Sequence, residues 1–215
     1  MSDDDSIRRP PARCPIGFWH LISYGPVWTF AQAAARTLFS LRIDGTPPPR
    51  EGSYVVAANH ASYADPVLLQ MAVPQPIRYM MTADFYDLPG LQWFFRWMRT
   101  LRVGDANGNL GPIREAKRAL DAGDVLGIFP EGRLSDDGSI GEFQDGAATL
   151  AKLTRAPVLP VRIVGAFDVI HRGQLVPRVR PVALRRGEML PPPRGGRSSV
   201  RAFTLHLRDV IRNLA

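Results

Sequence analysis

Short apolar runs alternate with longer amphipathic ones from Ser53 to Ala166, and that rhythm limits the chain to a few architectures. SYVVAAN (53–59), IRYMM (77–81), VLGIF (125–129) and PVLPVRIVGA (157–166) are brief, apolar and bounded by turn residues, as buried strands are. Between them DPVLLQMAV (65–73), the aromatic-rich stretch 84–99, GPIREAKRALDAG (111–123) and FQDGAATLAKLTRA (143–156) read as helices. In the third of these Ile113, Ala116, Ala119 and Leu120 make one apolar face, and Gly123 falls at the C′ position. Asp65 followed by Pro66 reads as an N-cap and first-turn proline. SSVRAFTLHLRDVIRNL (198–214) closes the chain as an amphipathic helix with Val200, Phe203, Leu207, Val210, Ile211 and Leu214 on its apolar side. The Arg- and Pro-rich segment 167–196 holds a strand or two and an extended linker, LPPPRGG. Such alternation predicts an α/β fold: one domain on a central, largely parallel or mixed sheet with helices on both faces. The 215 residues, 45% of them hydrophobic, suffice for one sizeable core.

Residues 1–42 form a separate unit ahead of the domain at 43–215. Their start, MSDDDSIRRPPARCP, is polar and lacks a secretory signal pattern. Ile16 to Ala35 is then uncharged, long enough to span a bilayer, yet broken by Gly25-Pro26 and dotted with His20, Ser23 and Gln32. Phe18, Trp19 and Trp28 suit an interface better than a hydrocarbon centre, so two short helices lying in a membrane surface are expected ahead of a true span or a helix packed on the domain. The expected location is the cytoplasmic face of the cell membrane, as a peripheral or monotopic protein. The net charge of +7 is concentrated late, where residues 171–215 carry ten arginines against Glu188 and Asp209. Such a tail attracts anionic lipid or an acidic carrier protein. With no nucleic-acid recognition motif beside it, nucleic acid is not expected as a partner. Cys14 is the only cysteine and is compatible with a reducing compartment.

Two polar stretches leave the ends of apolar runs. NHASYAD (59–65) follows the first, and PEGR (130–133) follows VLGIF. If those strands are parallel, both stretches emerge at one sheet edge, where open α/β folds hold their ligands. His60 and Asp65, five residues apart, suit a carboxylate that orients an imidazole and leaves its second nitrogen free to take a proton. No activated serine or cysteine accompanies them, so a substrate hydroxyl is the natural nucleophile. The residues alone leave a second reading open, in which Asp65 only caps a helix and His60 is structural. Metal-ligand spacing and the G-x-S-x-G nucleophile turn are both missing from the sequence, so neither a metal site nor an α/β-hydrolase is expected.

NHASYAD, FPEGRLS and APVLPVRIVG, in that order and at these distances, resemble the lysophosphatidic acid acyltransferase (PlsC-like) family of glycerolipid acyltransferases. The resemblance covers nearly the whole chain and implies a glycerol-3-phosphate acyltransferase-like fold. It implies that His60 is a general base and Asp65 its orienting acid. The acceptor is then a lysolipid hydroxyl, and the donor acyl-CoA or acyl carrier protein acting as co-substrate, with no other cofactor. On the same grounds Asn59, Ser62, Glu131, Gly132, Arg133, Arg102 and Pro160 belong to substrate binding, with Pro157 and Pro160 shaping a strand along the pocket. Two positions depart from the family pattern. Asp105, in LRVGDANG (101–108), stands where a phosphate-gripping arginine is usual, and the guanidinium of Glu131-Gly132-Arg133-Leu134-Ser135 is shifted by one residue.

Overall fold

The structure is a computed structural model that describes residues 26, 29–30, 32–37, 39–87, 90, 92–103, 111–174 and 176–214. Seven strands form one sheet: β1 (Arg42–Gly45), β2 (Val55–Ala58), β3 (Ile77–Thr82), β4 (Leu101–Val103), β5 (Val125–Ile128), β6 (Val158–Val164) and β7 (Ala183–Arg186). Among the described residues, a helical segment at 32–37 precedes the sheet, and the helices that accompany the strands are α1 (Asp65–Met71), α2 (Ala83–Tyr86), α3 (Gln92–Trp97), α4 (Gly111–Asp121), α5 (Gly146–Thr154) and α6 (Arg197–Asn213). The sheet order is β1-β7-β6-β2-β5-β3-β4, and every neighbouring pair is parallel except β6 with β7.

The strand sequences explain the layering. Because side chains alternate across a strand, β2 sends Val56 and Ala58 to one face and Val55 and Ala57 to the other. Leu68, Leu69 and Met71 of α1 cover the first face. Ala116, Ala119 and Leu120 of α4, Leu150 of α5, and Leu207 and Ile211 of α6 cover the second. All four β2 residues are fully buried, as a strand roofed on both faces requires. Burying a leucine such as Leu120 or Leu207 contributes about 1.5–3 kcal/mol, which is what the small helical faces supply. The expected three-layer α/β architecture is the one observed.

β6 runs into the same edge as β2 and β5. The chain then turns through Ala166–Ile170 and comes back as β7, antiparallel to β6. That turn is therefore delivered to the edge where NHASYAD and PEGR emerge. Gly127 in β5 serves the same region, since a Cβ there would lie 2.6 Å from the Tyr79 ring. Its absence lets Tyr79 lie flat over β5.

Four expectations are corrected. The α1 N-cap is Ala64, without a side-chain cap bond, and Asp65 is the first helical residue with its carboxylate turned backwards. The stretch 84–99 is two short helices, α2 and α3, with residues 88, 89 and 91 outside the described set. Helix α5 starts at Gly146 rather than Phe143, because Gln144 donates its backbone N–H to Pro130 O and is held out of the helix. Thr204 joins the buried face of α6 by folding its hydroxyl onto Val200 O. At Gly123 the expected left-handed residue is found, with φ +89°. The expected membrane-surface helices at 16–35 and Cys14 lie mostly or wholly outside the described residues, as does Asp105. Among the described residues no helix is long and apolar enough to cross a membrane.

Candidate active site

His60 begins the loop between β2 and α1, and its geometry is fixed from four sides. Its Nδ1 lies 2.9 Å from Asp65 Oδ2. The same oxygen accepts the backbone N–H groups of Ala61 and Ser62, each at 2.7 Å. One carboxylate oxygen thus clamps the loop and the ring together. An ionised carboxylate is acceptor-only, so it places the imidazole hydrogen on Nδ1 and leaves a lone pair on Nε2. No described residue bonds Nε2, and the His60 side chain is 21% exposed while Asp65 is fully buried. The ring stacks on Phe129, with centroids 4.1 Å apart and planes 16° from parallel, and Phe129 in turn stacks on Tyr79.

Glu131 ties this loop to the neighbouring one. Its Oε1 accepts the His60 backbone N–H at 2.9 Å and its Oε2 the Gly141 N–H at 3.2 Å. In return Ser135 donates its N–H to His60 O at 2.8 Å. β2 and β5 are adjacent, so NHASYAD and PEGR do emerge side by side. Gly132 makes the turn possible: its φ is +70°, and a Cβ would lie 2.6 Å from Gln144 Nε2.

Burial pushes the carboxyl groups of Asp65 and Glu131 above the usual carboxylate range. Around Asp65 the His60 bond, the His60 charge and the two amide bonds pull the other way. The backbone bonds from His60 and Gly141 do the same for Glu131. The result is a negative group held in a poorly solvated place, well suited to stabilise an imidazolium that forms beside it.

Other expected site residues take different places. Asn59 is buried and uses its whole amide on one residue: Nδ2 donates to Ile163 O at 3.0 Å and Oδ1 accepts Ile163 N–H at 2.8 Å. It extends the β2–β6 pairing past the end of β2 and so fixes where the loop starts. Ser62, also buried, donates its hydroxyl to Ile170 O at 2.6 Å, and Tyr63 N–H reaches the same carbonyl. Asn59, Ser62, Glu131 and Gly132 therefore hold the loops in position, and Glu131 also borders a cleft. Pro160 is buried within β6 opposite Ala57, against Gly187. Arg102 lies on edge strand β4, three strands from β2, with its guanidinium on Asp87, so it is not brought to His60. Arg133 is 83% exposed at a cleft of about 560 Å³ on the Gly141 side of Glu131. Phe129, Gly141 and the carbonyls of Ile163 and Ile170 were not anticipated; only the Phe of FPEG carried a sequence signal.

A model of the Acyltransferase family matches residues 40–164, which contain the His60, Asp65 and Glu131 constellation. The chain belongs to this family. A 1-acyl-sn-glycerol-3-phosphate acyltransferase of Bacillus subtilis is 25% identical over 146 residues, covering 65% of this acyltransferase-family chain and 72% of the relative. A chloroplastic 1-acyl-sn-glycerol-3-phosphate acyltransferase of Arabidopsis thaliana is 24% identical over 160 residues, covering 73% and 44%. One from Brassica napus is 26% identical over 128 residues, covering 59% and 37%. The chain thus spans less than half the length of the two plant relatives. The crystal structure of the 1-acyl-sn-glycerophosphate acyltransferase PlsC from Thermotoga maritima matches with a TM-score of 0.74 at 25% identity, over 91% of this chain and 79% of that one.

Proposed function

We propose that this acyltransferase-family member moves a fatty acyl group from an acyl thioester to the hydroxyl of a lysophospholipid, in phospholipid synthesis or remodelling. The thioester is acyl-CoA or acyl carrier protein. One observation carries the reading: His60 has Nδ1 tied to a buried carboxylate and Nε2 open at the sheet edge. The names of the relatives from Bacillus subtilis and Arabidopsis thaliana supply the class of acceptor.

In this mechanism Nε2 takes the proton of the acceptor hydroxyl as its oxygen attacks the thioester carbonyl carbon. The new C–O bond forms and the carbonyl oxygen becomes an oxyanion. Asp65 stabilises the imidazolium through Nδ1. Collapse of the oxyanion breaks the C–S bond, and the imidazolium returns its proton to the departing thiolate. No covalent acyl-enzyme is needed. Rigid placement of the base matters most, because a correctly held pair converts a bimolecular step into an effectively unimolecular one.

The substrates are amphiphiles, and a membrane surface, at the cytoplasmic face, is the proposed place of work. Val176 and Val179 are exposed together with Arg178 and Arg180 on the segment following the Ile170 turn, an apolar and basic combination that suits an anionic lipid surface. The test is a screen of lysolipid acceptors against one acyl-CoA and one acyl carrier protein thioester, with products separated by chromatography. Acylated lipid from at least one lysophospholipid is expected. Free fatty acid alone, with every acceptor, contradicts the proposal and points to thioester hydrolysis.

A further inference from the structure

Resting on the proposed lysophospholipid acceptor, we infer that Arg172 and Arg133 together form the binding site for its phosphate, a site that Asp136 fills while no acceptor is bound. Arg172 lies just past the third motif stretch and 39 residues from Arg133, and the fold brings the two together. Arg133 Nη1 is 4.0 Å from Asp136 Oδ2, and Arg172 Nη1 is 3.7 Å from Asp136 Oδ1. Two guanidinium groups from separate turns thus converge on the two oxygens of one carboxylate, at distances longer than a good charge-assisted hydrogen bond.

The two turns are fixed to the His60 loop and to each other. Ser135, two residues past Arg133, bonds His60 O, while Ile170, two residues before Arg172, accepts bonds from Ser62 and Tyr63. Gly138 packs on the Phe167 ring, where a Cβ would lie 2.9 Å from Cγ, and Phe167 stacks on His171 at 4.5 Å. The backbones under both arginines are therefore held, and only the side chains are loose: Arg133, Arg172 and Asp136 are 83%, 74% and 64% exposed. An ion pair that exposed adds little and is easily exchanged.

A phosphate monoester carries a charge of about −1.5 to −2 near neutral pH and three acceptor oxygens. It matches two guanidinium forks better than one carboxylate does. The neighbouring acid Asp137 is turned to its own loop, its Oδ1 accepting the Ser139 N–H at 2.9 Å and the Ser139 hydroxyl at 2.6 Å. Arg102 is held on Asp87 at the far edge of the sheet, so the headgroup grip falls to the arginines of these two turns.

The decisive comparison is Arg172→Ala against Asp136→Asn in the full chain. If Arg172 binds phosphate in place of Asp136, the two changes act in opposite directions. Arg172→Ala should raise KM for lysophosphatidate about tenfold with kcat little changed, leaving KM for monoacylglycerol, which has no phosphate, unmoved. Asp136→Asn should lower KM for lysophosphatidate. Arg172→Lys, which keeps the charge but not the fork, should recover only part of the loss. Equal shifts in the same direction for both variants mean that the pair is merely structural, and an unchanged KM in Arg172→Ala also overturns the assignment. Calorimetric titration with sn-glycerol 3-phosphate, without acyl donor, reads the same site independently of turnover. Weaker binding by Arg172→Ala supports the site even if no lysolipid is acylated, and equal binding refutes it.

Discussion

Glu131→Gln and Glu131→Ala separate a carboxylate that positions from one that binds substrate. Glu131 uses both oxygens on backbone donors, His60 N–H at 2.9 Å and Gly141 N–H at 3.2 Å. An amide has one oxygen and one NH2, so glutamine keeps one bond and points donor at donor on the other side. The lost charge-assisted bond is worth about 1.5–3 kcal/mol. Burial outweighs these bonds in setting the raised carboxyl value, so losing the charge itself costs little, and the remaining loss is the unsatisfied Gly141 N–H, about 1–2 kcal/mol. The shorter bond is the one to His60, so the glutamine oxygen stays there and the Gly141 side takes the mismatch. Alanine removes both acceptors and leaves two N–H groups unsatisfied, at about 1–3 kcal/mol each. The His60 loop then loses a tether, and a shift near 1 Å lowers kcat on the order of 10²-fold. Urea unfolding followed by tryptophan fluorescence gives the stabilities, and steady-state acyl transfer gives kcat and KM. The expected order is wild type, then glutamine, then alanine in both stability and kcat, with KM nearly constant. An alanine variant within about 0.5 kcal/mol of wild type, or one with raised KM and unchanged kcat, refutes the tether.

Two further outcomes follow from the same geometry. Gly132→Ala forces a side chain onto φ +70° and against Gln144, so a loss of about 1–3 kcal/mol is expected, and an unchanged melting temperature contradicts it. Raised carboxyl values mean that folded Asp65 and Glu131 bind protons more tightly than the unfolded chain does, so their contribution to stability grows as pH falls toward about 4. Glutamine at 131 does not titrate, and the stability gap between wild type and Glu131→Gln should widen in favour of wild type as pH falls from about 7 toward the ordinary Glu value of about 4.3. Melting curves at both pH values check it, and a narrowing gap contradicts the sign.

The sheet was legible because its strands announce themselves locally. VVAA, VLGI and VLPVRIV are apolar, short and turn-bounded, and their burial on both faces is what such runs require. His60 and Asp65 were legible as a pair for a similar reason, since five residues of chain suffice to bring them together. The roles of Asn59 and Ser62 were not. Their partners, Ile163 O and Ile170 O, stand 104 and 108 residues away and are backbone atoms with no sequence signature. Residue type suggested substrate contact, while burial beside an unpaired strand end turned both into struts. Asp65 was misread as a cap because a carboxylate before proline usually bonds forward. Here three donors behind it, Nδ1 and two loop amides, outweigh the helix N-terminus. Arg172 carried no signal because only the antiparallel return into β7 brings its turn to this edge.

Removal of the acceptor proton by His60 Nε2 is the step on which the mechanism turns, and acyl transfer by purified His60→Ala measures its weight. A folded variant is expected, by circular dichroism and melting, with kcat for the best acceptor about 10²–10⁴-fold below wild type. A folded His60→Ala that turns over within a factor of two of wild type contradicts it.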